Sequence, residues 1–249
     1  MLVEKGDAVM EKLAELKMIL EGASNIVFFG GAGVSTESGI PDFRSESGIY
    51  ATVKQYGCPP EVILSHTFFM EHPDVFYRFY RSQLVYRDAR PNAAHRALAA
   101  LEERGRLKAV VTQNIDGLHQ KAGSRTVVEL HGSVHRNYCM ACHAYYDLDY
   151  VLDGEGVPRC PCGGIIRPDV VLYEEELDPE NIMLATRFIR DADTLIVGGT
   201  SLAVDPAASL VHWFKSGKVI LINKSKTPYD GMADLVIHEP IGEVLGGVV

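Results

Sequence analysis

The sequence predicts an α/β fold, a doubly wound parallel sheet with a smaller lobe inserted into it, and three observations point there. Six short apolar runs recur along the 249 residues, continuous instead of alternating, as in strands covered on both faces. Amphipathic stretches lie between them, giving the strand-helix alternation of a parallel sheet. The first run, Asn25 to Phe29, breaks directly into the glycines at 30 to 33, an order that opens many nucleotide-binding units.

Taken in order, residues 7–22 place Met10, Leu13, Leu16 and Leu20 at helical spacing. The strand at 25–29 follows, and later strands are expected at 109–112, 126–130, 194–198, 218–222 and 234–237. Between them, 92–104 carries Ala94, Leu98 and Leu101 on one stripe, and 206–216 brings Leu210, Val211 and Phe214 together, so both are expected to be helices. Two stretches break the rhythm. Residues 45–90 are helical in pattern and rich in aromatics, with Phe68, Phe69, Phe76, Tyr77, Phe79 and Tyr80; residues 135–165 hold cysteine pairs among Gly and Pro. Both are expected in the small lobe, leaving 1–44, 91–134 and 166–249 to the large domain.

Composition narrows the function. With 47% apolar residues the chain can bury a core. Lys and Arg total 24 against 33 Asp and Glu, a net charge of −9, so neither nucleic acid nor an anionic membrane is an expected partner. A substrate recognised by charge would be cationic. No apolar run approaches the roughly 18 to 20 residues that span a bilayer. The charged N-terminal stretch lacks signal-peptide features, and a cytoplasmic location is expected.

Four of the five cysteines form two tight pairs, Cys139 with Cys142 and Cys160 with Cys162. In a reducing compartment this spacing points to a structural zinc site of four thiolates with no open position. Buried free thiols or a redox pair are the alternative. Cys58 stands apart as an incidental thiol.

The remaining chemistry falls at strand ends. Glycines after a strand let a backbone approach a pyrophosphate. Thr36 stands where the dinucleotide fingerprint would place its third glycine, so a plain tight turn is the competing reading. Thr112-Gln-Asn-Ile-Asp116 and Glu129-Leu-His-Gly132 put Gln113, Asn114, Asp116 and His131 at the C-terminal ends of strands, where open α/β sheets bind ligands. His66, His72, His95 and His119 are read as structural or solvated.

Together these segments resemble the signature of the sirtuins, the NAD-dependent protein lysine deacylases. GAGVSTESGIPDFR (31–44), TQNIDGLHQKAG (112–123), ELHG (129–132), the cysteine pairs and GTSLAVDPA (199–207) occur in that family's order. The resemblance implies a Rossmann-like large domain, a small lobe made of a zinc ribbon and a helical module, and a cleft holding NAD and an acyl-lysine peptide. It places Gly31, Ala32 and Gly33 against the pyrophosphate with Thr36 and Arg44 nearby, and Phe43 over the nicotinamide ribose. Asn114, Ile115 and Asp116 would form the nicotinamide pocket, and Gln113 would bind ribose. Gly199, Thr200 and Ser201 would contact phosphate or the adenine ribose, and Asn223 the adenosine ribose, with Lys224 and Ile241 as further NAD contacts. His131 would be the general base, with Asn114 and Asp116 as catalytic partners; Val170, Val171, Leu172 and Tyr173 would pair with the peptide.

The implied activity is NAD-dependent protein lysine deacetylation, releasing nicotinamide and O-acetyl-ADP-ribose. Two other readings remain: a mono-ADP-ribosyltransferase or NAD glycohydrolase on the same fold, and a non-catalytic NAD or ADP-ribose sensor. Three departures stand out. The second cysteine pair has one intervening residue, Pro161, instead of two. Tyr173-Glu174 replaces the family's usual Phe-Gly. Neither Tyr77-Arg-Phe-Tyr80 nor Tyr80-Arg-Ser-Gln83 supplies the Tyr-x-x-Arg of members that prefer succinyl or malonyl groups, so a neutral acyl group is expected.

Overall fold

A computed structural model describes residues 2–41, 56–202 and 205–249. Six parallel strands, in the order β3-β2-β1-β7-β8-β9, form the main sheet: β1 Ile26–Gly30, β2 Leu107–Thr112, β3 Val127–Glu129, β7 Thr194–Gly198, β8 Lys218–Ile222 and β9 Leu235–Ile237. All six correspond to the apolar runs. Every residue of β1 and of β7 is buried, which is why neither run alternates.

The two faces nevertheless sort by period 2. Ile26 and Phe28 pack with Leu16 and Leu20 of α1 (Leu2–Gly22), Leu98 and Leu101 of α5 (Ala93–Glu103) and Leu245 of α9 (Ile241–Val248). Val27 and Phe29 pack on the other side with Ala185 and Ile189 of α8 (Pro179–Asp191). Leu210 and Val211 belong to that second face, and here the expected helix at 206–216 is corrected to a short 3₁₀ helix, Ala208–Trp213. With the buried Ala207 just before it, its buried residues pair as Ala207 with Leu210 and Ala208 with Val211, a repeat of three, which three residues per turn serves better than 3.6.

A second sheet is antiparallel, in the order β5-β4-β6: β4 Gly132–Cys139, β5 Tyr145–Tyr146 and β6 Ile166–Val170. Short helices α2 (Pro60–Ile63), α3 (His66–Glu71) and α4 (Pro73–Phe79), with a π turn at Tyr80–Leu84, carry the aromatic stretch. Ile63, Phe69, Phe76, Tyr77, Phe79 and Tyr80 form one core with Val134, Ile166, Leu172 and Val151, the last on α7 (Leu148–Asp153). The two irregular stretches of the sequence therefore share an interior. Among the described residues, no helix is long and apolar enough to cross a membrane.

Strand order reverses between β1 and β7, where Gly30 and Gly198 are register partners. The crevice beyond such a reversal is where open α/β sheets bind ligands.

Candidate active site

Both walls of that crevice are glycine turns. The Gly33 amide donates to the Gly199 carbonyl at 2.8 Å, and a Cβ on Gly33 would stand 2.8 Å from the Gly199 Cα. Gly199 has φ +58°, in the left-handed region glycine favours. Gly31 faces Thr200 and Ala32 opens the first 3₁₀ turn, while the Thr36 hydroxyl donates to the Gly33 carbonyl at 3.0 Å. Thr200 Oγ1 accepts from the Gln113 side chain and from the Leu202 amide, both at 3.2 Å, joining the β2 and β7 ends across β1. Ser201 follows, half-buried.

Other expected contacts lie further out. The Asn223 amide group donates to the Ser225 carbonyl at 2.8 Å, and Lys224 is exposed. Ile241 is 4% exposed, its side chain packed in the core against Gly198. Phe43 and Arg44 lie outside the described residues.

Asn114 and Asp116 meet through a residue whose role the sequence did not signal. Ser35 Oγ donates to Asp116 Oδ2 at 2.6 Å and accepts from Asn114 Nδ2 at 3.0 Å. Asp116 Oδ1 accepts the Leu118 amide at 2.9 Å, at the start of α6 (Leu118–Ala122), and Ile115 accepts the Val134 amide at 3.0 Å. Ser35 is 1% and Asn114 9% exposed, so the arrangement is fixed by buried hydrogen bonds. Only the serine-rich composition of 31–38 hinted at such a bridge.

His131 lies just after β3 with Nδ1 2.9 Å from the Gln113 carbonyl. A carbonyl only accepts, so Nδ1 carries the proton and Nε2 keeps its lone pair. Burial pushes the imidazole below its ordinary value, and the Gln113 bond opposes this. Gly132, at φ +75°, is required because a Cβ there would collide with the Asp169 carbonyl. The His131 carbonyl accepts the Val171 amide at 3.0 Å, which seats the 170–173 segment beside the histidine.

Within that segment Val170 and Leu172 are buried and Tyr173 is 44% exposed. The Tyr173 backbone pairs with Leu64 and His66 at 2.9 and 3.0 Å. Glu174 has φ +75°, which explains why glycine suits this position; its carboxylate accepts the Thr67 amide at 2.9 Å in the first turn of α3. Tyr77 and Tyr80 are fully buried, and Arg81 donates to the carbonyls of Val151 and Gly156.

The four paired cysteines converge, with all Sγ atoms within 4.8 Å of one another and the pairs Cys139–Cys162 and Cys142–Cys160 at 3.5 Å. A tetrahedron with metal–sulfur bonds of about 2.3 Å has edges near ~3.8 Å, so the set fits zinc. The Tyr146 hydroxyl donates to Cys160 at 2.9 Å and pushes that thiol down to about 6, favouring the thiolate a metal binds. Pro161 does not keep the second pair from reaching the first. A Cβ on Gly164 would stand 2.7 Å from Cys139 Sγ, so this glycine permits the approach.

This architecture has close relatives. The Sir2 family model matches residues 31–206. The chain is 60% identical over 243 residues to an NAD-dependent protein deacetylase of Clostridium acetobutylicum, covering 97% of this chain and 99% of that one. It is 46% identical over 234 residues to the Staphylococcus aureus NAD-dependent protein deacetylase, covering 94% and 96%. A solved Sir2 enzyme superposes with TM-score 0.86 at 40% identity over 96% of both chains. A Sir2 protein solved with a p53 peptide and NAD+ superposes at 0.81, with 37% identity over 94% of this chain and 95% of that one. The chain belongs to the Sir2 family.

Proposed function

We infer that this chain is an NAD-dependent protein lysine deacetylase, acting from the cytoplasm on acetyl-lysine segments of proteins. The observation that carries the chemistry is His131, its Nδ1 proton held by the Gln113 carbonyl and its Nε2 left as a base beside the glycine-walled crevice. NAD is a co-substrate in this reading. The turn at Gly31, Ala32, Gly33 and Thr36 takes the pyrophosphate; Gly199, Thr200, Ser201 and Asn223 take the adenosine end, and Gln113 a ribose hydroxyl. Asn114, Ile115 and Asp116 hold the nicotinamide, with Ser35 fixing the first and last of them. Peptide backbone adds as a strand beside Val170 to Tyr173, a mode that depends little on side-chain identity.

The acetyl-lysine carbonyl oxygen bonds to the ribose carbon as the bond to nicotinamide breaks. His131 then takes the proton of the 2′-hydroxyl, whose oxygen attacks the former amide carbon. Water completes the balance, lysine leaves as the free amine, and the acetyl group stays on ADP-ribose. Cys139, Cys142, Cys160 and Cys162 would hold a zinc ion as a structural crosslink between the two knuckles, with no open position for substrate. We assign the six-stranded sheet and the helices on its faces to the large domain and the antiparallel sheet with α2, α3, α4 and α7 to the small lobe; Val134, Ile166, Val170 and Leu172 pack in the small-lobe core, so the bounds expected at 134 and 166 move to 131 and 173. Arg81 is engaged with Val151 and Gly156, so it offers no ready partner for an acyl carboxylate, which supports a neutral acyl group.

The test incubates protein, NAD and matched acetyl- and succinyl-lysine peptides and identifies the products by mass. Free lysine peptide, nicotinamide and O-acetyl-ADP-ribose are expected, with the higher kcat/KM on the acetyl peptide. ADP-ribosylated protein, or ADP-ribose without peptide conversion, would replace the reading with a transferase or glycohydrolase; binding without turnover would leave a sensor.

A further inference from the structure

Strand β4 departs from regular pairing at one place. Ser133 opposes Asp169 and Asn137 opposes Pro168, so residues 134–136 are inserted on β4 between two adjacent residues of β6. Bulges of this kind re-aim side chains. Here the first two inserted residues reach the 115–116 segment of the site. The Val134 amide donates to the Ile115 carbonyl at 3.0 Å, and His135 Nε2 lies 3.0 Å from the Asp116 carbonyl.

Arg136 reaches in two directions. Its Nη1 meets Glu129 Oε2 at 2.6 Å and its Nε meets Asp169 Oδ2 at 2.7 Å. Glu129 lies two residues before His131, and its side chain is 9% exposed with Oε1 accepting from Gln120 at 2.8 Å. Asp169 lies on β6 directly before Val170. One guanidinium therefore joins the end of β3, two residues before the proposed base, to the strand that leads into the proposed peptide platform. A planar fork fixes direction as well as distance, which a lysine ammonium does not.

We propose that Arg136 is a positioning residue for the peptide substrate, holding the Val170–Tyr173 segment at a set distance from His131 through Asp169 and Glu129. This rests on the deacetylase reading and adds to it the group that registers peptide against base. Arg136 touches neither NAD nor the reacting atoms. Its loss acts on the peptide side of the reaction and leaves the pyrophosphate turn, built from β1 and β7, in place.

The experiment compares wild type with Arg136→Lys, Arg136→Gln, Asp169→Asn and the double variant Arg136→Gln/Asp169→Asn, varying peptide at saturating NAD and then NAD at saturating peptide. Lysine keeps a charge beside the buried Glu129 and guards against loss of fold, but cannot span both carboxylates. The expected result is a peptide KM raised about tenfold in each single variant, with the NAD KM within about twofold. The double variant should be no worse than Arg136→Gln, because both changes break one connection. An unchanged peptide KM, or equal rises in both KM values, overturns the proposal. Binding of a fluorescent acetyl-lysine peptide separates this from failure of the functional reading. A wild type that binds peptide as tightly as Arg136→Lys sinks the positioning role alone, whereas a wild type that neither binds nor converts peptide sinks the deacetylase reading and this role with it.

Discussion

Ser35 shows how one side chain can fix a site that two distant segments share. Its hydroxyl is at once donor to Asp116 and acceptor from Asn114, so replacing it with alanine removes one charge-assisted bond and leaves the Asn114 amide without that acceptor. Ser35→Ala should lower kcat by about 10- to 100-fold, corresponding to ~1.5–3 kcal/mol for a bond to a charged group, and the melting temperature should fall by a few degrees because the buried Asn114 amide loses its acceptor. Steady-state rates within twofold of wild type would show that Asp116 is held well enough by the Leu118 amide alone. Asn114, Asp116 and His131 were legible because their residue types at strand ends suit the chemistry. Ser35 was not, since nothing in a serine-rich turn says which hydroxyl reaches a partner 79 or 81 positions away. Glu174 is the opposite case: its departure from glycine was visible in the sequence, and its positive φ and its bond to the Thr67 amide account for it.

At the scale of elements, the six apolar runs and α1 and α5 were readable because burial imposes a pattern on contiguous residues. The 3₁₀ helix at Ala208–Trp213 is shorter than the pattern suggests because its three buried positions, with the buried Ala207 before it, fit a repeat of three about as well as a helical stripe over so short a span. The bulge at 134–136 was invisible, since register is a property of two strands and not of one. The cysteine knuckles lie between these extremes. Their spacing announced a metal, but how a Cys-Pro-Cys turn reaches the other pair depends on Gly164, packed against Cys139 Sγ and Ala141. Cys139 and Cys160 also belong to the small-lobe core with Val151 and Ile166, so metal and packing support each other. Wild type should hold one zinc per chain by elemental analysis. Gly164→Ala should shift the chelator concentration needed to remove it about tenfold lower, because an added methyl in a filled site costs ~1–3 kcal/mol. A metal-free wild type, or an unchanged chelator midpoint in the variant, would contradict this account.

For the whole molecule, strand order explains why the site draws on both ends of the chain: β1 and β7 are neighbours only because the chain completes β2, β3 and the small lobe before returning. The same return path buries imidazoles. His95 of α5 and His119 of α6 lie with ring centroids 4.7 Å apart, and neither ring nitrogen of His119 has a hydrogen-bond partner among the described residues. Burial drives both well below the ordinary imidazole value; Asp116 pulls His95 partly back, while Arg96 pushes it down and His95 does the same to His119. His131 is lowered as well. In the unfolded chain these groups bind protons near pH ~6.5, whereas the folded chain holds them neutral, so the unfolded state binds more protons and stability falls as pH drops below that value. Each contributes a slope of up to ~1.4 kcal/mol per pH unit until its folded-state value is reached. Carboxylates held low, such as Asp234 beside Lys218 and the Val219 amide, lose stability only as pH falls through the ordinary carboxylate range of roughly 4, so the two effects separate. Melting temperature should therefore be level above pH ~7 and decline between pH ~6.5 and ~5. His119→Phe keeps a ring against Phe28 and removes no side-chain hydrogen bond among the described residues, and it should make that decline measurably shallower. A variant whose melting temperature falls as steeply as that of wild type over this interval would mean that the acid response comes from elsewhere in the molecule.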